Sequence, residues 1–587
     1  MRLNLNFGRH EVPPHLCSFN QFRFSSFVPS IAQADLWINT TDISFEEGTG
    51  GWTNKVDLAD LNGDGLVDIL FANGSAYSTP GEKENNQILF NIGNDGDGVP
   101  LFEDLTDDIL GLDGDFTRVI KARDVNNDGV IDILVGNTYG TQSRLFLGKG
   151  GGEFEERSDL FPQILASVGD LELGDIDGDG DLDIILADWN LGEEGDLLDP
   201  FGAPGGKVLV WRNELLEASG RFVDITEVAM PNDGQVAWSW DLEFTDVDND
   251  SDLDIMASCK VCPSSMLFLN DKGVFKNATK NLPGFTNNYD FEPMFIRTSG
   301  DKSWALAVVT INDGDEVSNR FDLREHIFVS DENGKFTNQT SSLWPDKENL
   351  GADDNVVVIL DYDSDSDPDF LIGALGDGDD RLHINHLSED GTFHLDANDG
   401  VKTGLSNTPG TLGIALADLN GDGKLDVVQS QGELADPEEI WIGDEIKVDS
   451  AKPEILSIVL KDGYVLARIH DNKSPSRGHD WRKIELTWAD LSGENRGKAK
   501  MQWVGEFYWR ANIASYNIVG EICATDAAGN QSCEPFGDAI PTKVGKGDEA
   551  SSTDNASEGG CQSTQSPTGQ GIFFLFALFF FRPKKRS

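Results

Sequence analysis

Positive charge is scarce in this sequence: 45 Lys and Arg stand against 103 Asp and Glu, a formal net charge of −58. Nothing in it resembles the basic stripe that follows a phosphate backbone, which excludes nucleic acid as a partner. Methionine is scarce (6), and the 8 histidines are scattered. No H-E-x-x-H motif or nucleophile elbow is present, and carboxylate pairs are too common to single out an acid/base couple. Long apolar runs are nearly absent. The main one, Ile572–Phe581, falls short of the ~20 residues that span a bilayer as a helix.

Apolar content of 39% still permits a packed fold, and 63 glycines suit many short strands joined by tight turns. A charge this large opposes compaction unless cations neutralise part of it. The acidic residues are not spread evenly. A nine-residue loop recurs, starting at Asp60, Asp124, Asp175, Asp246, Asp361 and Asp418. The period is roughly 50–70 residues, except for one gap about twice as long, which implies a missing copy. Near the middle of that gap, Arg297-Thr-Ser-Gly300-Asp301-Lys-Ser-Trp-Ala305 keeps a Gly and an Asp but not the other carboxylates. It reads as a degenerate seventh unit without metal.

Short β-branched runs follow the loops, such as Val67–Phe71 and Ile131–Val135. A second apolar run comes next, as in Gln87–Asn91 and Val208–Arg212. An aromatic-x-polar-x-Thr/Ser pattern ends the unit: Phe102–Thr106, Phe154–Ser158, Phe222–Thr226, Phe275–Thr279 and Phe336–Thr340. With the strand entering the loop, this makes four strands per unit, the signature of a propeller. The last unit lacks its fourth strand, and Trp37-Ile-Asn-Thr-Thr41 supplies one of the right type, so residues 36–43 are expected to close the ring. The expected fold is all-β: a seven-bladed β-propeller over 35–446, its fifth blade lacking the acidic loop.

The loop chemistry points to calcium, which takes about six to eight hard oxygens. Side chains at the first, third, fifth and ninth positions and the seventh carbonyl converge, a spacing similar to the first part of an EF-hand. The expected ligands of the first loop are Asp60, Asn62, Asp64, Leu66 and Asp68. Those of the second are Asp124, Asn126, Asp128, Val130 and Asp132, and of the third Asp175, Asp177, Asp179, Asp181 and Asp183. The fourth uses Asp246, Asp248, Asp250, Asp252 and Asp254; the fifth Asp361, Asp363, Asp365, Asp367 and Asp369; the last Asp418, Asn420, Asp422, Lys424 and Asp426. About six Ca2+ sites follow, structural in role. Ser251 and Ser366 replace the sixth-position Gly and are expected to weaken their sites, because that position needs positive φ. Asn94–Gly98, Asn312–Asp315 and Gly376–Asp380 lack the ninth Asp and read as turns.

In these loops and strands, residues 36–445 resemble the FG-GAP/VCBS repeats of integrin-α-like propellers, including cartilage-acidic-type proteins and their bacterial relatives. The resemblance implies an extracellular module for adhesion or ligand recognition at the cell surface, its partner an unidentified protein or glycan. No catalytic residue is assigned. A calcium-dependent polysaccharide lyase or hydrolase is the alternative, by fold analogy. Trp238 and Trp240, two apart before the fourth loop, either stack on a sugar or pack near the centre. His383, His386 and His394 are explained by hairpin positions.

Residues 449–540 break the repeat. Their strand spacing suits a β-sandwich, and Asp526-Ala-Ala-Gly-Asn530 resembles the final hairpin of bacterial Ig-like or fibronectin-III-like domains. Cys523 and Cys533 flank that turn and are expected to bridge it; Cys259 and Cys262 form either a local disulfide or two free thiols. Residues 541–571 read as a flexible linker. Residues 572–587, an apolar run ending in Arg582, Lys584, Lys585 and Arg586, resemble MYXO-CTERM and GlyGly-CTERM sorting tails. That resemblance makes Gly559-Gly560-Cys561 the signature, Cys561 the processing or attachment residue and the tail the membrane contact. Residues 1–34 read as a poor or mis-started export signal, with Ala32-Gln33-Ala34 as a cleavage-type site.

Overall fold

Asp68–Asn73, Asp132–Asn137 and Asp369–Ala374 are short apolar runs bounded by polar turns, and each forms a strand buried along its whole length. Continuous burial requires cover on both faces of the sheet. The computed structural model describes residues 34–537, apart from 46–50, 75–80, 112, 191–205, 237, 260–263, 285–287, 298–303, 312–323, 332, 346, 350–353, 376–379, 391–392, 398–400, 406–409, 433–436, 462 and 514–516. Among these residues the fold is all-β.

Seven antiparallel sheets carry the repeat, each of four strands on its main path. Their first strands are Thr53–Ala59, Thr117–Arg123, Val168–Gly174, Leu242–Thr245, Asp290–Ile296, Asp354–Leu360 and Thr411–Ala417. Each contacts the next in this order, and the last contacts the first. Apolar cores lie between neighbouring sheets. Val119, Leu134, Leu171 and Ile184 join the second to the third, and Ile69, Phe71, Val428 and Ile440 join the seventh back to the first. The fifth sheet is intact, with Asp290–Ile296 paired to Ala305–Ile311. Most of its degenerate loop, residues 298–303, lies outside the described residues, as do the segments 1–33, 312–315 and 538–587 discussed above.

The seventh sheet takes its outer strand from the other end of the chain. Trp37, Ile38 and Asn39 pair antiparallel with Gly443, Ile442 and Trp441. The strand is shorter than 36–43, because Thr41–Ser44 turns into a single helical turn. That turn explains the threonine of the repeated pattern. Where the fourth strand ends, the hydroxyl accepts an N–H from the third strand that would otherwise lose its partner. Thr41 accepts from Ile440 (3.0 Å), Thr106 from Ile88 (2.8 Å), Thr226 from Val210 (2.9 Å) and Thr340 from Ile327 (2.9 Å).

The C-terminal residues form two further four-stranded sheets. One orders Glu454–Lys461, Tyr464–His470, Tyr508–Asn512 and Gln502–Gly505; the other orders Arg496–Lys500, Trp481–Asp490, Ile518–Asp526 and Gln531–Phe536. They share a core of Val465, Ile469, Ile484, Leu486, Trp509 and Ile522. Cys523 and Cys533 face each other across the last hairpin and are bonded. Cys259 is also disulfide-bonded; Cys262 lies outside the described residues. No helix among the described residues is long and apolar enough to cross a membrane.

Trp37 is fully buried, and its indole N–H donates to the Leu425 carbonyl at 2.8 Å. Trp37→Ala is expected to cost about 3–5 kcal/mol, read as a drop in Tm and denaturant midpoint. An unchanged Tm would show that the N-terminal strand does not hold the seventh sheet.

Candidate metal centre

Each acidic loop connects the first and second strands of its sheet. The first-position carboxylate winds the loop around itself. Asp60 Oδ1 accepts N–H bonds from Gly63 (2.7 Å) and Asp64 (3.1 Å), and Oδ2 accepts one from Gly65 (2.9 Å). Asp246 Oδ1 and Oδ2 accept from Asp250 and Ser251, and those of Asp361 from Asp365 and Ser366, at 2.8–3.1 Å. The winding demands positive φ at two positions. At the sixth, Gly65 has φ 89° and Ser251 and Ser366 both 71°, so the serines are held in the strained region the sequence suggested. The fourth position needs the same conformation, with φ near 60° at Asn127, Asn249 and Ser364, a requirement the sequence reading missed.

The ninth-position Asp does more than face the loop. In all six copies one oxygen accepts the N–H of the second loop residue and the other accepts an N–H from the third strand or its end. Asp68 takes Leu61 and Asn91, both at 2.8 Å; Asp132 takes Val125 (3.0 Å) and Gly148 (2.8 Å); Asp183 takes Ile176 (3.1 Å) and Asn213 (2.7 Å). Asp254 takes Val247 (2.9 Å) and Asn270 (2.8 Å); Asp369 takes Tyr362 (3.1 Å) and Asn385 (2.8 Å); Asp426 takes Leu419 and Gly443, both at 2.8 Å. Burial outweighs these bonds. It pushes the Asp68 and Asp132 carboxyls up to about 7 and Asp254 to about 9, and holds Asp183, Asp369 and Asp426 well above the usual range.

Three loops bring carboxylate oxygens within 4.8 Å of one another: Asp175, Asp177 and Asp183; Asp246, Asp248 and Asp250; Asp361, Asp363 and Asp365. In the other three the third position is an amide, Asn62, Asn126 or Asn420, whose oxygen accepts an N–H from the fifth residue at 2.8–3.0 Å. Asp177 Oδ1 and Asp248 Oδ1 are buried and meet no donor. A hard divalent cation suits this all-oxygen donor set. The loops are not equivalent, however. Arg510 donates to Asp175 Oδ2 (2.7 Å), Tyr508 to Asp246 Oδ2 (2.6 Å) and Lys461 to Asp252 Oδ1 (3.0 Å), so the C-terminal sheets cover the third and fourth loops. Lys424 turns its ammonium to the carbonyls of Gly443 and Asp444.

A second repeated residue escaped the sequence reading. Asn91, Asn213 and Asn270 lie in the later part of their third strands, and each side-chain amide donates to the second-position carbonyl of the preceding sheet's loop: Leu419 (2.9 Å), Val125 (2.8 Å) and Ile176 (2.8 Å). The signal was present as an Asn recurring at this place in four of the seven units, at Asn91, Asn213, Asn270 and Asn385.

The seven first strands or the residues just before them also line one cavity of about 510 Å3, counting its part open to solvent. Trp240, Tyr289, Arg118, Lys55, Asp241 and Asp290 are among its walls. Trp238 is not on a strand. It has φ 56°, is buried, and stacks on Trp189 with ring centres 5.1 Å apart, whereas Trp240 stays half-buried at the cavity. His383 packs edge-on against Trp344, and His386 and His394 oppose each other across a hairpin.

A carboxyl whose folded pKa is raised favours the folded state below its unfolded pKa of ~3.9, and loses that contribution as pH rises through the folded value. With divalent cations chelated, Tm is therefore expected to fall from pH 5 to pH 9, the range set by Asp68, Asp132 and Asp254. A flat or rising profile in chelator would contradict the burial of these groups.

Residues 124–186 and 361–428, which hold four of the six acidic loops, match the FG-GAP-like repeat. No curated protein matches the chain. Among solved structures it is similar to the V. cholerae biofilm matrix protein Bap1, at 15% identity over 85% of this chain and 75% of that one, TM-score 0.29. It is also similar to the Bacillus licheniformis rhamnogalacturonan lyase, at 14% identity over 71% and 76%, TM-score 0.36, and to Trypanosoma rangeli sialidase, at 10% over 83% and 90%, TM-score 0.30. Scores this low decide nothing about this chain. The family match is confined to those two stretches, each of which carries two of the acidic loops.

Proposed function

We propose that the seven sheets are blades of a β-propeller that holds calcium in its six acidic loops and serves adhesion or ligand recognition outside the cell. The carrying observation is one loop conformation repeated between the first and second strands of six sheets, each rich in oxygen donors. Calcium fits better than magnesium, which seldom uses all-protein cages. An extracellular setting is supported by the FG-GAP-like repeats and by the Cys523–Cys533 disulfide, which persists in oxidising compartments. In this reading the two C-terminal sheets are an Ig-like sandwich that stands between propeller and membrane, and the tail 572–587 makes the membrane contact. The ligand is a protein or a glycan. The cavity at the meeting of the first strands is its best seat, since Trp240 and Tyr289 stand in its wall beside polar groups.

The same cavity favours a second reading, polysaccharide cleavage, because Asp241 and Asp290 stand beside the aromatic wall and burial raises both carboxyls.

Chelation with EDTA is expected to lower Tm and added Ca2+ to restore it; no change on either side would sink the calcium reading. On a glycan array with Ca2+ present, binding lost in Trp240→Ala supports the cavity as the seat, and binding equal to wild type rejects it. Release of oligosaccharides from an acidic polysaccharide would favour the enzyme.

A further inference from the structure

We infer that Asp449, Asp471 and Asp526 form a further divalent-cation site, outside the six repeated loops, at the joint between the cycle of sheets and the C-terminal module. The three come from separate parts of the chain. Asp449 lies on the segment linking Glu439–Gly443 to Glu454–Lys461, Asp471 follows Tyr464–His470, and Asp526 ends Ile518–Asp526. Their carboxylate oxygens nevertheless lie within 4.8 Å of one another.

Two orphaned oxygens set this cluster apart from ordinary surface acids. Asp526 is 1% exposed; its Oδ1 accepts the N–H groups of Gly529 (2.6 Å) and Asn530 (2.8 Å), while its Oδ2 is buried and meets no donor. Asp471 Oδ1 is likewise buried without a donor. Nor is there a counter-charge. Among the described residues no Lys, Arg or His pairs with any of the three; Lys473 pairs with Asp480 and Lys447 with Asp363. One buried and two half-buried carboxylates with no basic partner repel one another, and neutralising them favours the fold. Oxygen-only donors select a hard ion, and calcium is the one that tolerates an irregular, mostly protein shell.

The surroundings are pre-built. Asn530 Nδ2 donates to the Asp449 carbonyl (3.3 Å), the Asp449 N–H donates to Gly423 O in the last acidic loop (2.9 Å), and Ser450 N–H donates to Ser364 Oγ in the fifth (2.7 Å). An ion here would tie the linking segment to two strands of the module while that segment is already tied to two loops.

The test counts Ca2+ bound per full-length chain by equilibrium dialysis, for wild type, Asp471→Asn and Asp526→Asn, with folding checked by circular dichroism. Each variant is expected to bind one ion fewer than wild type. If the repeated loops bind no calcium, wild type is expected to hold one ion and the variants none, so the two claims fail separately. Equal counts in wild type and Asp471→Asn overturn the inference. Asp471 makes no hydrogen bond among the described residues, so its substitution breaks none and is expected to fold even if Asp526→Asn does not.

Discussion

The structure depends on one buried carboxylate per repeat, spent on the backbone. The ninth-position Asp of each acidic loop accepts one N–H from the loop and one from the third strand or its end, and so fixes loop, second strand and third strand in one geometry. No other side chain of similar size offers two acceptors so placed. Glutamate would overshoot and asparagine would set its amide against a donor. The cost is a charge in a dry place, and burial accordingly drives these carboxyls towards the neutral form. A cation bound beside them would remove the conflict.

Much of this was legible in the residues. The spacing of Asp60 to Asp68 and its copies located the loops, and the aromatic-x-polar-x-Thr pattern located the fourth strands, because both repeat with the sheet. Trp37 and Thr41 carried the same pattern at the other end of the chain and pointed to the strand that completes the seventh sheet. The extent of that strand was not legible, since nothing local says that Thr41 turns helical. The amides of Asn91, Asn213 and Asn270 passed unnoticed because a single Asn after an apolar run looks like any turn residue. Their role lies in the neighbouring sheet, which only the fold brings near.

Contacts across long sequence distance were the least legible. Nothing in Tyr508 or Arg510 announces that they reach Asp246 and Asp175, or that Asp449, Asp471 and Asp526 meet. Such encounters follow from how two cores dock, and docking is set by shapes that no local pattern encodes. They also single out the third and fourth of six similar loops, which lie under the C-terminal sheets.

The borrowed outer strand bears on how the chain reaches this state. Trp37 is bonded to a carbonyl 388 residues downstream. During synthesis the strand Trp37–Asn39 must therefore wait, without its partner Glu439–Gly443, until nearly the whole cycle has emerged. Its docking is a late, high-contact-order event that reports completion of every intervening sheet. A nascent chain stalled before Glu439 would expose the apolar edge of an unfinished seventh sheet, a natural handle for chaperones or proteases that cull incomplete copies.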